Sequence, residues 1–176
     1  MIKNNQLPSF IDWNVQCQHR HYTAWPVGRQ TGYHGTSSVV LDDILMYGGL
    51  KADYDRCGRG ERGVFFGVDY ENQFGNIISG FQHALNRARY KVGHEGGKGV
   101  IFEVTKDMIQ TSRLEQWIAL VREDVSIEML EKAYLLGDLS DIERALLQRL
   151  GYRNFENHLF KESVKEEPTK LILATK

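Results

Sequence analysis

Gly32-Tyr33-His34-Gly35-Thr36-Ser37-Ser38-Val39-Val40 runs into Leu41-Asp42-Asp43-Ile44-Leu45-Met46-Tyr47 and stops at Gly48-Gly49-Leu50. The stretch combines a strand's worth of residues, a polar tip and a short helix that ends on glycine. Ser38 is placed to cap free N–H groups at a helix start. Val39, Val40, Ile44 and Leu45 form an apolar face at helical spacing. Gly48 suits the left-handed residue that stops a helix. The pattern predicts a strand through Tyr33 and a helix over 39–47. His34 and Gly35 then sit near a strand end, where a side chain and a bare backbone both reach a ligand. Arg62-Gly63-Val64-Phe65-Phe66-Gly67-Val68-Asp69 follows, with a strand over 64–67.

Working outward, residues 70–90 read as a helix. Phe74, Ile77, Ile78, Phe81, Ala84, Leu85 and Ala88 recur at helical spacing, although Gly75 and Gly80 weaken it. A glycine-rich loop at 92–99 leads to an alternating strand at 100–105, with Val100, Phe102 and Val104 on one side. Residues 115–121 form another strand candidate. Ser126 opens a helix through Leu136 that stops at Gly137. Ser140-Asp141-Ile142-Glu143 is a capping box, and its helix ends at Gly151. Residues 155–160 and 170–174 read as strands with a charged connection between them. Before the key stretch, 13–21 and 21–27 are two short strands or a packed arm. No repeated strand–helix–strand unit is present, so the expected class is α+β.

The 176 residues are enough for one domain with a real core. With 41% hydrophobic and 26% charged residues the composition is that of a globular chain. A formal net charge of −1 gives no global basic field to draw it to nucleic acid or an anionic membrane. A local basic patch stays open. Cys17 and Cys57 make no disulfide framework, and no apolar run approaches a membrane span. The start, Met-Ile-Lys-Asn-Asn-Gln, lacks the apolar core of a cleavable signal. The expected location is cytoplasmic, and delivery into a host by a specialised secretion system is compatible with it.

His-Gly-Thr at 34–36, Ile-Leu and Gly-Leu after it, and Gly-Val-Phe-Phe-Gly at 63–67 together resemble the ADP-ribosyltransferase superfamily. The likeness is to the His–Tyr–Glu branch of the poly-ADP-ribose polymerases and diphtheria toxin. It is good over 32–69, fair to about Val104 and weak beyond. It implies an ADP-ribosyltransferase-like fold, with split mixed or antiparallel β-sheets and flanking helices. That fold would span 1–176 as a single domain, with 1–28 as an N-terminal arm. The implied activity is mono-ADP-ribosyl transfer from NAD to a macromolecular acceptor, in a small effector or toxin.

The chemistry asks for a fixed cofactor, a nearby anion and an incoming nucleophile, because positive charge develops on the ribose as nicotinamide leaves. By resemblance, His34 would hydrogen-bond the adenosine ribose and Gly35 would pair its backbone with the carboxamide. Thr36 completes the His-Gly-Thr motif of the cofactor site. Phe65 stands where the family often has tyrosine, which keeps a stacking face and loses a hydroxyl. Phe74 or Tyr70 would form the second aromatic wall. Glu115 is the candidate catalytic carboxylate, at the start of a short apolar strand, and Glu156 after Leu-Gly-Tyr is its rival.

Cys17-Gln18-His19-Arg20-His21 offers metal-ligand atoms without the fourth group and turn a zinc site needs, so no metal is expected. Gly58-Arg59-Gly60-Glu61-Arg62-Gly63 fits a mobile loop beside the cofactor, with arginines for its diphosphate. Near-neutral charge favours a protein acceptor. NAD hydrolysis, 2′-phosphate transfer from RNA and an inactive binding module are the alternatives, and fold alone cannot separate them.

Overall fold

The computed structural model describes residues 25–54, 62–110, 116–160 and 169–176. The arm before Trp25, the cluster at 17–21, the loop at 55–61 and Glu115 lie outside the described residues.

The chain is a mixed α+β structure built on antiparallel pairing. Strand β1 (Trp25–Ser37) pairs along its length with β7 (Gly99–Gln110), from Trp25 opposite Gln110 to Ser37 opposite Gly99. A register shift between Pro26 and Gly28 interrupts the ladder. Gly28 has φ 83° there, a conformation that glycine adopts without steric cost.

On its other edge β7 pairs first with β10 (Lys132–Leu136) and then, at Ile109 and Gln110, with β8 (Ile118–Val121). Strand β12 (Thr169–Thr175) follows β10, and β11 (Asn154–Phe160) closes that end. Strand β4 (Arg62–Val68) pairs with β1 only at Gly32–Val68 and Tyr33–Gly67. It then turns to β8, from Val64–Val121 to Gly67–Ile118. Short β3 (Asp53–Tyr54) pairs with the start of β4, and β2 (Gly49–Leu50) pairs with β9 (Val125–Ser126). The strands β1, β4, β8 and β7 thus close a ring of pairings, with β1 and β4 joined over two residues.

The main core fills one face of this sheet. Phe66, Val68, Val100, Phe102, Val104, Met108 and Ala119 are buried there. Helix α1 (Leu41–Tyr47) contributes Leu41 and Ile44 to the same cluster. Helix α3 (Asp141–Arg149) contributes Leu147. As expected, Val100, Phe102 and Val104 share one side of β7 in this core, while Ile101 between them is buried on the other side. The opposite face carries helix α2 (Gly80–Glu95). Its Ala84, Leu85 and Ala88 bury Ile101, with Tyr33, Phe81 and Tyr134 packed at the margin.

Helix α2 comes unusually close to the sheet. A Cβ at Gly35 would lie 1.9 Å from the Ala84 carbonyl oxygen, and one at Gly67 would lie 2.2 Å from that of Gly80. Both obstacles are backbone, so neither can rotate away. Gly35→Ala is expected to destabilise the fold by about 1–3 kcal/mol or more. A denaturant melt showing wild-type stability would mean that the helix sits further out.

Several local expectations hold. Gly48 stops α1 at φ 76°, and its N–H bonds back to the last turn. Ser140 and Glu143 form the reciprocal capping box of α3. At the first helix the cap shifts by one residue: Ser37 accepts from Val39 N, and a 3-10 turn at Ser38–Val40 precedes α1.

Two helix expectations are corrected. Residues 70–78 form a hairpin of β5 (Tyr70–Glu71) and β6 (Ile77–Ile78), and the helix starts only at Gly80. Asn72 Oδ1 accepts from Phe74 N at 2.9 Å and Asn76 N at 3.0 Å, and Gly75 takes φ 77°. That side-chain turn outcompetes a helix. Residues 126–136 are likewise a bridge strand (Val125–Ser126), a 3-10 turn (Ile127–Met129) and β10, not one helix. Ala133 and Leu135 there serve the core at 0% exposure with period two.

Candidate functional site

Beyond Tyr33, β1 keeps β7 on one edge and has no strand partner on the other among the described residues. His34 sits at the point where β1 and β4 part. Its Nδ1 lies 2.9 Å from the Phe65 carbonyl oxygen, so the imidazole spans the opening. A carbonyl oxygen only accepts. Nδ1 must therefore carry the proton, and Nε2 is left as an acceptor. The ring meets the Phe66 ring edge-on at 5.8 Å and 63°.

Burial lowers the His34 pKa. The carbonyl bond opposes the shift, and the nearby Arg87 and Lys91 charges add to it. The imidazole is thus neutral at neutral pH. Because the folded pKa is depressed, the stability it contributes is present above the ordinary histidine range, about 6.5. That stability is lost as pH falls.

The other sequence candidates are only partly gathered here. Phe66 is a core residue at 1% exposure, while Phe65 is half-buried on the other face of β4, as strand alternation requires. The His34 ring therefore rests on Phe66, and its link to Phe65 runs through the Phe65 carbonyl. Gly35 is bare because α2 occupies the space of a Cβ. Its backbone still lies on the part of β1 that β4 leaves unpaired. Thr36 is 6% exposed, opposite Val100.

Phe74 is at the hairpin turn, 77% exposed, and no ring contact joins it to His34 or Phe65 among the described residues. Tyr70 lies in β5 of that hairpin. Glu156 is on β11, opposite Leu173, and β7, β10 and β12 separate that strand from β1.

The structure also brings in a carboxylate that the sequence reading missed. Glu103 on β7 lies opposite Tyr33 in the β1 ladder and is 7% exposed. Tyr134 Oη donates to it at 2.6 Å and Lys132 Nζ at 2.7 Å. Burial, then the bond to Glu103, pushes the Tyr134 hydroxyl far up, so the proton stays on tyrosine. Burial also raises Tyr33, with Glu103 and Asp69 adding to it. This places a carboxylate, held by two donors, on the strand beside His34. The signal was a glutamate in the middle of an apolar strand, on the side that α2 covers.

The chain matches no protein family model, no curated protein and no solved structure. Among the described residues no group of three or more histidines, cysteines or carboxylates is placed to hold a metal ion. No helix there is long and apolar enough to cross a membrane.

Proposed function

We propose that this chain is a mono-ADP-ribosyltransferase that uses NAD as co-substrate and a macromolecular acceptor, with a protein favoured by the near-neutral charge. The observation that carries the reading is the His34 imidazole, neutral and held by Phe65 at the parting of β1 and β4. In that tautomer Nε2 accepts a hydrogen bond from a ribose hydroxyl. The unpaired edge of β1 at Gly35 offers backbone groups to the carboxamide, and Phe65 offers a stacking face. The parting of β1 from β4 fits the split sheet of an ADP-ribosyltransferase-like fold.

In the reaction the bond between ribose C1′ and the nicotinamide nitrogen breaks. Its electron pair goes to that nitrogen and discharges the pyridinium. The acceptor's nucleophile bonds to C1′, and its proton passes to a base or to water. Glu115 would supply the anion that steadies the cationic ribose.

Labelled NAD, incubated with the protein alone and with a cell extract, tests the activity. Transfer of label to a macromolecule together with nicotinamide release is the expected result. Free ADP-ribose alone would replace transfer by hydrolysis, and binding without turnover would leave a cofactor-binding module. His34→Ala should weaken NAD binding about tenfold, because a ribose hydroxyl loses its partner in the complex. Calorimetry on the folded variant showing unchanged affinity would remove His34 from the site.

A further inference from the structure

The chain carries almost no net charge, yet helix α2 concentrates cations. Arg87, Arg89 and Lys91 lie on it with His83 and His94, against a single acid, Glu95. Lys91 holds that acid at 2.6 Å. Arg87, Tyr90, Lys91 and His94 are spaced i, i+3, i+4 and i+7, so they share one stripe of the helix. The buried Ala84, Leu85 and Ala88 face the sheet, while Arg87, Tyr90 and His94 are exposed.

Within this stripe the side chains are in contact. The Arg87 guanidinium carbon lies 5.2 Å from the Tyr90 ring centre. The His94 ring is 4.3 Å from the Tyr90 ring, tilted by 54°. Tyr90 nevertheless stays 56% exposed. The positive field of the same helix reaches the end of β1, because Arg87 and Lys91 both depress the His34 pKa.

We propose that the outer face of α2 is a docking surface for single-stranded nucleic acid. An acidic peptide would need only the charges. An exposed flat aromatic ring beside a guanidinium and an imidazole is suited to a stacked base, with the cations meeting the flanking phosphates. A duplex keeps its bases stacked on one another and gains nothing from Tyr90. This surface is independent of the NAD reading, and its test uses no NAD.

The test is fluorescence anisotropy of the full chain with a short labelled oligothymidine, at low and at physiological salt. Binding at low salt is expected, weakening with salt as counterions are released. Tyr90→Ala should lower affinity about tenfold, and Arg87→Gln should reduce the salt dependence. Tyr47→Ala is the matched control, since Tyr47 on α1 is also 56% exposed and should leave binding unchanged. Thermal melts confirm that each variant is folded. The proposal is overturned if the wild type does not bind at low salt or if Tyr90→Ala binds as well as wild type. It is also overturned if polyglutamate or a duplex of equal length competes as well as the single strand.

Discussion

Phe66→Ala is expected to cost about 3–5 kcal/mol of stability, the usual range for removing a buried phenylalanine. Phe66 is 1% exposed inside the ring of β1, β4, β8 and β7. A Cβ at Gly32 would come within 2.8 Å of its own Cβ, so the site is tightly filled. Its neighbour Phe65 should behave in the opposite way. Phe65→Ala should lower NAD affinity with a modest loss of stability, because that ring is half-buried on the other face. His34 leans on Phe66, so Phe66→Ala will also loosen the imidazole. Thermal melts combined with NAD titrations well below the melting temperature separate the two effects. A large affinity loss from Phe66→Ala and none from Phe65→Ala would reassign the cofactor to the core side of β4.

Glu115→Gln should reduce nicotinamide release by a factor on the order of a hundred, with NAD binding little changed. The substitution keeps shape and removes charge, and the lost interaction belongs mainly to the transition state. Glu156→Gln should stay within severalfold of wild type, since β11 lies at the other end of the sheet from His34. Full activity in Glu115→Gln with a dead Glu156→Gln would transfer the role to Glu156. Full activity in both would end the glutamate assignment for these two positions. Glu103, already bonded by Tyr134 and Lys132, would then be the next carboxylate to replace.

What was legible in the sequence was whatever local chemistry decides. Gly48 had to be left-handed to stop α1, and Ser140 with Glu143 closed a capping box whatever the surroundings. The alternation of Val100, Phe102 and Val104 announced one buried face. The failures came where one pattern served two structures. Phe74, Ile77, Ile78 and Phe81 have helical spacing, yet Asn72 satisfies two backbone N–H groups ahead of them and Gly75 takes the turn. Ala133 and Tyr134 also fit a helix, but the free edge of β7 draws them into a strand. Of the site, the position of His34 near a strand end was readable from Gly32 to Gly48, with β1 running on to Ser37. Its bond to Phe65 O was not, because that depends on where β4 leaves β1. Glu103 escaped notice because a lone glutamate reads as surface until its donors are placed.

The long β1–β7 ladder also governs how the chain reaches this state. Every pair in it joins residues more than sixty positions apart, from Ser37–Gly99 to Trp25–Gln110. Closing such loops adds little to the thermodynamic cost but slows folding, because the entropy is lost before the contacts form. The hairpin at 70–78 and the capped helices are local and can form early. During synthesis β1 is made well before β7, and the apolar residues beside it stay without their cover meanwhile. Folding yield should therefore depend more on the timing of this one pairing than on the strength of any single contact within it.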